Sequence, residues 1–316
     1  MIDISIIVPS YNSSKYISRC LSHLCRQTFL GVIELVFVDD CSDDNTVQEI
    51  ECCLHKYAYK GLYKIVKHSV NKGVAAARIT GILNSTGEYV LFCDSDDWMD
   101  DRMCEMMYSE AQKFAADLVV CDYNNVYEGS SCVASNNCEE DFLPGLLLCR
   151  CTGSLWNKLI KRDILIRDNF VYPVASYIED YVYSIQLAIM AKNIRYMPMP
   201  LYNYCHREGS IVRSRDTTAI RRRIEENLEN HKLVERILNE HNLLEKYYSQ
   251  SIALKFIVKN SIRTYFPSKE YYKLWRSTYP EMTIEMFKSR HIGWRARIAY
   301  FVTMLGLYTK VKKYIQ

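Results

Sequence analysis

Five short strand-like segments recur between residues 4 and 123, separated by stretches with helical spacing, and the first of them, ISIIVPSY, is almost continuously apolar. Strands that a sheet buries on both faces have this composition, because neither face of such a strand meets water. One separating stretch, 71–83, turns at Gly73 into an alanine-rich helix. The alternation predicts an α/β fold in which helices cover both faces of a parallel central sheet. The predicted strands are ISIIVPSY (4–11), IELVFVDD (33–40), LYKIVKHS (62–69), EYVLFCD (88–94) and DLVVCDY (117–123).

The composition excludes several classes of protein. A chain of 316 residues can form one large domain, or one domain with an appendage. Its net charge of +3 is too small for a dedicated nucleic-acid binder, so no nucleic-acid partner is expected. No apolar run reaches the ~18 residues of a membrane-spanning helix, and no signal peptide is expected at the amino terminus. The 13 cysteines form no C-x-x-C pair, and their odd number in a chain of this length indicates reduced thiols and a cytoplasmic location.

Beyond the fifth predicted strand the pattern becomes less regular. Residues 124–153 are polar, which favours a flexible loop over a lid on an acceptor site. A helix over 180–191 and a strand over 194–204 are predicted next, and helical spacing continues from residue 215. We therefore predict an α/β domain over 1–212, followed by a helical region over 213–316.

Aspartates stand at the ends of two predicted strands, at residues 39–40 and 94–97. Ligands of parallel sheets bind beyond the carboxyl ends of the strands, so these side chains are expected to share one crevice. Asp94 and Asp96, one residue apart, can share a hard divalent cation that keeps positions open for diphosphate oxygens.

Other interpretations of this acidic segment fit less well. An EF-hand calcium loop fails, because Trp98 and Met99 occupy the positions of an oxygen ligand and of the turn glycine. Walker A and G-x-G-x-x-G loops are both absent from the sequence, so these two phosphate-binding motifs are excluded.

Six segments resemble, in the expected order, the motifs of glycosyltransferase family 2, whose members are inverting enzymes with a GT-A fold. The resemblance covers roughly residues 3–210. It implies a Rossmann-like, mostly parallel sheet with helices on both faces and a helical extension. The segment LWNKLIKRDIL resembles one that is common in family members that build bacterial capsules, exopolysaccharides or lipopolysaccharide. The segments are SIIVPSYN, VFVDDCSDD, NKGVAAARITG, LFCDSDD, LWNKLIKRDIL and IEDYVYS.

The resemblance implies distinct roles for the acidic residues. Asp94 and Asp96 would bind the Mn²⁺ or Mg²⁺ that bridges the donor's two phosphates, with Asp96 as the expected direct ligand. Asp180, preceded by Glu179, would be the general base that takes the proton from the acceptor hydroxyl. The residues alone leave open that each pair only caps or begins a helix. The other aspartates at this strand end are predicted to cap the next helix: Asp97, Asp100 and Asp101.

The resemblance also implies where the donor nucleotide, expected to be UDP, would bind. Asp40, in preference to Asp39, would accept a hydrogen bond from an N–H of the nucleobase, because a carboxylate only accepts. Arg78 would grip the diphosphate through two donors, pair with a strand-end aspartate, or do both. The other expected donor-site residues are Pro9, Tyr11, Asn71, Gly73, Asp94 and Ser95.

Five further residues are candidates for contacts with the acceptor or the diphosphate. Trp156 either stacks on an acceptor sugar or packs between the sheet and the 124–153 segment. Lys158 can reach the diphosphate. His206 and Arg207 approach the diphosphate or the metal, or else are structural. The set is Trp156, Lys158, Glu179, His206 and Arg207.

The tail at 287–316 contains no acidic residue, and basic residues flank its apolar centre. Its apolar side chains recur at helical spacing, which is typical of helices that lie in an anionic bilayer interface. A helix docked on the protein, or a dimer contact, would have the same pattern. We predict a peripheral position on the inner face of the cytoplasmic membrane. The stripe consists of Trp294, Ile298, Phe301, Leu305 and Tyr308.

The sequence therefore predicts a metal-assisted inverting transferase. It would move a sugar from a nucleotide-sugar to a glycan or lipid-linked acceptor in surface polysaccharide synthesis. One alternative is a sugar-nucleotide nucleotidyltransferase, although PSYNSSKY is not the glycine-rich basic loop that such enzymes use. Another is a non-catalytic sugar-binding module with the same fold. The sugar, the acceptor, the linkage and the oligomeric state stay open, a dimer included.

Overall fold

The computed structural model describes residues 1–136, 142–206, 216–265 and 269–307. Its strands are β1 (Ile4–Ser10), β2 (Ile33–Asp39), β3 (Leu62–Lys67), β4 (Tyr89–Phe92), β5 (Trp98–Met99), β6 (Leu118–Tyr127), β7 (Ser130–Ala134), β8 (Lys158–Lys161) and β9 (Ile194–Cys205). Within the described ranges these strands form one sheet in the order β3-β2-β1-β4-β8-β6-β9-β5, with β7 paired to β6.

Helices cover the sheet and continue beyond it. None of the helices in the described ranges combines the length and the hydropathy needed to cross a bilayer. They are α1 (Ile17–Leu24), α2 (Thr46–Lys56), α3 (Val74–Asn84), α4 (Met103–Phe114), α5 (Phe142–Leu147), α6 (Arg162–Leu165), α7 (Glu179–Met190), α8 (Thr217–Glu240), α9 (Tyr248–Ser261), α10 (Lys269–Ser277), α11 (Met282–Glu285) and α12 (Trp294–Met304).

One half of the sheet follows the predicted pattern. Strands β3, β2, β1 and β4 are parallel neighbours, and a helix follows each of β1, β2 and β3. The register pairs Ser10 with Asp39 and Ile7 with Phe92. The carboxyl ends of β1, β2 and β4 therefore lie at one edge of the sheet.

The other half of the sheet is mixed rather than parallel. Strand β8 runs antiparallel to both β4 and β6, while β6 is parallel to β9 and β9 is antiparallel to β5. Nothing in the sequence marked β8 as a strand, because it has only 4 residues and two of them are lysines.

The prediction of a flexible loop over 124–153 is wrong for much of that segment. Strand β6 continues to Tyr127, the chain turns at Gly129 with φ +77°, and β7 returns alongside β6. Helix α5 follows, after residues 137–141, which lie outside the described ranges. The side chains of β7 are mostly exposed, so this strand does not need alternating apolar residues. Its polar sequence is therefore hard to distinguish from that of a loop.

Two apolar layers, one on each face, hold the sheet in place. Alternating residues of β1 divide between them, with Ile7 in the layer under α3 and α7, and Ile6 in the layer under α1 and α4. The first layer also takes Val234 and Leu238 from α8 and Leu254 from α9. Helices α8 and α9 thus share the core of the sheet, whereas α10, α11 and α12 pack against them in a separate apolar cluster.

Candidate active site

Arg78 joins two acidic segments that lie far apart in the sequence. It lies on α3, is 4% exposed, and its Nη2 is 2.9 Å from Oδ1 of Asp94, at the end of β4. Its Nη1 donates to Oε1 of Glu179, in the first turn of α7. Burial by itself lowers the pKa of the guanidinium, but the carboxylates of Glu179 and Asp94 outweigh it and raise that pKa. Arg78 is therefore permanently charged and forms ion pairs with both carboxylates at once. Pairing with a strand-end aspartate was one of the roles predicted for it from the sequence.

Asp180 follows Glu179 in the first turn of α7, at the same end of the sheet. Its Oδ1 accepts a 2.9 Å hydrogen bond from the N–H of Tyr181. Burial raises the pKa of the Asp180 carboxyl; Arg78 opposes that rise and Asp94 adds to it. The structure thus brings Asp94, Glu179 and Asp180 within electrostatic reach of one arginine. The sequence predicted a crevice shared by aspartates 39–40 and 94–97; the link to Glu179 through Arg78 comes from the fold.

Asp97 has a role that the sequence prediction missed. It was expected to cap α4, but its Oδ2 accepts from the hydroxyl of Tyr202 at 3.0 Å and its Oδ1 from the N–H of Cys205 at 2.7 Å. The Tyr202 hydroxyl also accepts from the N–H of Asp94 at 3.0 Å. Asp97 thus ties the acidic segment to β9, and burial together with Asp96 and Asp94 raises its pKa.

The capping predictions for Asp100 and Asp101 are also wrong. No side chain caps α4, whose N-cap position is Arg102. Asp100 accepts from the N–H of Arg102 at 3.0 Å, before the helix begins. Asp101 instead turns toward α1, where it pairs with His23 at 2.7 Å and with Arg26 at 3.4 Å.

The two strand-end aspartates of β2 differ in their partners. Asp40 uses both oxygens within the chain: Oδ1 contacts Nδ1 of His68 at 2.7 Å and the N–H of Lys72 at 2.9 Å, and Oδ2 accepts from the N–H of Gly73 at 2.7 Å. Asp39 accepts a 3.3 Å bond from the N–H of Ser42 through Oδ2. Its buried Oδ1 has no hydrogen-bond partner in the described part of the chain.

Asp40 holds the turn that Asn71 and Gly73 form. Gly73 has φ +87°, and a Cβ added to it would lie 2.4 Å from Oγ of Ser176, so both conformation and space favour glycine. Asn71 Oδ1 accepts from the N–H of Gly73 at 3.2 Å. This turn leads into α3, which places Arg78.

A cleft of about 570 Å³ opens beside these strand ends. Predicted donor-site residues form one wall, and the first two turns of α8 form another, which the sequence analysis did not anticipate. Helical periodicity shows which face of α8 is apolar, but it does not show what the polar face covers. The lining residues are Pro9, Ser10, Tyr11, Asp40, Asn71, Gly73, Val74, Ala77, Ser176, Tyr177, Asp216, Thr218, Ala219, Arg222, Arg223 and Glu226.

Two candidate contact residues are buried away from this cleft. Trp156 packs in the core: its ring stacks on Tyr202 at 4.5 Å and on Tyr204 at 5.6 Å. This is the packing alternative rather than an exposed platform for a sugar. Lys158 is fully buried, and its Nζ donates to the carbonyls of Thr152 and Ser154, so it is not the exposed group that a diphosphate contact needs.

The remaining candidates are placed as follows. Ser95 is buried, and its Oγ lies 2.7 Å from Oγ of Ser13, so it links the ends of β4 and β1. His206 contacts Oδ1 of Asn125 through Nε2 at 2.8 Å and stacks on Tyr127 at 4.2 Å, which is a structural environment. Arg207 lies outside the described residues.

Carboxylates such as those of Asp94 and Asp96 are the type of ligand that a magnesium- or manganese-type ion takes. The described residues contain no group of three or more His, Cys, Asp or Glu side chains placed to enclose a metal ion. Two carboxylates suffice for such an ion when substrate phosphates and water complete its coordination. Asp94 uses Oδ1 for Arg78 and its side chain stays 27% exposed, so a ligand can reach the carboxylate.

Comparisons with known proteins agree with this architecture. The sequence model described as glycosyl transferase family 2 matches residues 5–133. The glycosyltransferase GlyG of Streptococcus pneumoniae is 30% identical over 228 residues, which are 67% of this chain and 73% of GlyG. The putative glycosyltransferase EpsH of Bacillus subtilis is 30% identical over 221 residues, or 66% of this chain, and the match spans only 62% of EpsH.

A solved structure shows the same fold over nearly the whole chain. TarS 1–349 of Staphylococcus aureus, crystallised with UDP-GlcNAc, superposes with a TM-score of 0.62 at 22% identity, covering 95% of this chain and 92% of that one. The fold is therefore the GT-A fold, with a helical carboxyl-terminal region. The chain belongs to glycosyltransferase family 2, as the six sequence motifs predicted.

Proposed function

We propose that this protein is an inverting glycosyltransferase. It transfers a sugar from a nucleoside-diphosphate-sugar, with UDP as the nucleotide, to a hydroxyl group of a glycan or lipid-linked glycan in surface polysaccharide synthesis. The observation that carries the proposal is the Arg78 bridge, which holds Asp94 and the Glu179–Asp180 pair at one end of the sheet. Family membership, and the UDP-GlcNAc bound in the TarS structure, support the choice of donor.

In this proposal Asp180 is the general base. Its carboxylate takes the proton from the acceptor hydroxyl while that oxygen attacks the anomeric carbon on the face opposite the diphosphate. One displacement inverts the configuration and needs one base, unlike a retaining mechanism with two carboxylates ~5 Å apart. A pKa raised by burial makes Asp180 a better proton acceptor than an aspartate in water.

Asp94 and Asp96 would hold the divalent cation, Mn²⁺ or Mg²⁺. When bound, that ion would neutralise the charge that grows on the leaving diphosphate. Arg78 is occupied by Glu179 and Asp94, so we assign it the task of holding these carboxylates in place.

The nucleoside would lie in the cleft beside Pro9, Tyr11 and the Asn71–Gly73 turn. Asp39 is the better acceptor for an N–H of the base, because its Oδ1 has no partner in the described residues, whereas Asp40 uses both oxygens within the chain. This choice differs from the preference for Asp40 drawn from the sequence, and it gives Asp40 the task of shaping the turn.

A donor screen tests this function. The protein is incubated with Mn²⁺ and each nucleotide sugar in turn, without an acceptor, and release of nucleoside diphosphate to water is measured. We expect slow release from a UDP-sugar and none in the Asp96→Ala variant, which lacks one predicted metal ligand. Pyrophosphate production from a sugar phosphate and UTP would instead identify a nucleotidyltransferase. A protein inert toward every donor would contradict the proposal.

We also propose that the carboxyl-terminal helices bind an anionic membrane surface from the cytoplasmic side. Helix α12 docks through Ala299, Tyr300 and Thr303 and leaves its predicted apolar stripe in solvent, with Trp294 66% and Leu305 73% exposed. Ile284 and Phe287 extend the exposed apolar surface, and basic side chains adjoin it. Tyr308 and the last lysines lie outside the described residues.

Vesicle sedimentation tests this interface. With vesicles of equal parts phosphatidylcholine and phosphatidylglycerol, the Trp294→Ser/Leu305→Asn variant is expected to partition at least about tenfold less than the wild type, because two large apolar side chains are lost. Leu30→Asn, which alters a fully exposed leucine elsewhere, is the matched control. An intact chain that never sediments with these vesicles would rule the interface out. Deleting 287–316 is less informative, because Ile292 and Tyr300 belong to an apolar core.

A further inference from the structure

The first two turns of α8 place two arginines on the wall of the donor cleft. Arg222 and Arg223 are the only cationic side chains among its described lining residues. They belong to the region after residue 212, beyond the motifs that define the family resemblance. Asn230 fixes this helix against the opposite wall by donating to the carbonyls of Ala175 at 3.1 Å and Tyr177 at 2.8 Å.

The two arginines are held differently. Arg223 is buried, and its Nε donates to the carbonyl of Ala219 within the helix. Arg222 is 70% exposed and its Nε lies 2.6 Å from Oε1 of Glu226, one turn further along α8. The Glu226 side chain is only 17% exposed, so it is the arginine side of the pair that is open to solvent and within reach of another anion.

Apart from Glu226, the acidic residues that line the cleft have partners of their own. Asp40 is occupied by backbone N–H groups, and Asp216 caps α8 through the N–H of Ala219 at 2.8 Å. A nucleoside carries no charge at neutral pH, so the diphosphate is the anion that a nucleotide donor brings into the cleft. A guanidinium binds phosphate through short, charge-assisted hydrogen bonds.

We propose that Arg222 is a donor-binding residue, which leaves Glu226 and contacts the diphosphate when the nucleotide enters the cleft. This inference rests on the proposed function, because it assumes a nucleotide in this cleft. It makes α8 part of the donor site, so the carboxyl-terminal region contributes to substrate affinity.

Calorimetry with UDP and with uridine tests the proposal. Arg222→Gln is expected to weaken UDP binding about tenfold and to leave uridine binding unchanged, since uridine lacks the phosphates. Arg221→Gln is the control: Arg221 pairs with Glu225, four positions later, and with Glu270 of α10, but it does not line the cleft. Glu226→Gln, which releases Arg222, is expected to bind UDP at least as tightly as the wild type.

The outcomes separate this inference from the proposed function. If the wild type binds UDP and Arg222→Gln binds it equally well, Arg222 is not a donor ligand, while the proposed function stands. Equal weakening of UDP and uridine would mean that Arg222 only shapes the cleft, and would also overturn the inference. A wild type that binds neither UDP nor GDP would overturn both.

Discussion

Replacing Asp180 with asparagine is expected to lower the turnover number by about 10²–10⁴-fold, the usual contribution of a general base. Asparagine keeps the shape of the side chain and an oxygen that can accept from the N–H of Tyr181, so the first turn of α7 should stay intact. It cannot take up a proton from the acceptor hydroxyl. Donor binding, measured by calorimetry with UDP and Mn²⁺, should change little. Asp168→Asn, an exposed aspartate after α6, is the control for a lost surface charge.

The pH profile gives this prediction a second readout. Burial raises the pKa of Asp180, and a base works only when it is deprotonated. Wild-type turnover should therefore fall as the pH drops through the raised pKa, at a higher pH than an unperturbed aspartate with a pKa of ~3.9 would give. The residual activity of Asp180→Asn should lack this acidic limb. Unchanged turnover in the variant would exclude Asp180 as the base.

The part of the fold that could be predicted from the sequence is the part that local patterns encode. Strands β1, β2 and β4 are buried on both faces, so their apolar runs were conspicuous, and the helices between them made the sheet parallel in this half. The carboxyl ends of neighbouring parallel strands lie at one edge of the sheet. For this reason the sequence alone predicts that aspartates 39–40 and 94–96 lie at the same edge.

The rest depends on contacts between distant segments, which no local pattern reports. Asp97 and Tyr202 are 105 positions apart, and only the fold shows that this carboxylate fastens β9 instead of capping α4. From the sequence, the ring of Trp156 suited a ligand and the interior equally, while Lys158 was predicted to reach the diphosphate. The structure buries both side chains. Trp156 stacks on Tyr202 of β9, and Lys158 donates to the carbonyl of Thr152 in the 152–157 loop.

Replacing Arg78 with methionine is expected to destabilise the protein by about 3–5 kcal/mol, the usual cost of removing one partner from a buried ion pair. Methionine fills similar space but leaves the carboxylates of Glu179 and Asp94 without their shared cation. Native domains are stable by only about 5–15 kcal/mol, so a loss of this size is readily measured by urea unfolding. Arg78→Lys should fall between the wild type and methionine, because one ammonium does not reproduce the two contacts that Nη1 and Nη2 make.

A double-mutant cycle identifies the source of this loss. Adding Glu179→Gln to Arg78→Met removes one of the stranded charges, so the double variant should be less destabilised than the sum of the two single variants. The deficit of Arg78→Met should also shrink as the pH falls, because burial raises the pKa of the Glu179 carboxyl, and once protonated this group no longer needs a cation. Arg102→Met, whose ion pair with Asp100 is largely exposed, should cost at most about 1 kcal/mol. If Arg78→Met were as mild as Arg102→Met, the bridge would not be what holds the two acidic segments together, and the geometry of the proposed site would need another cause.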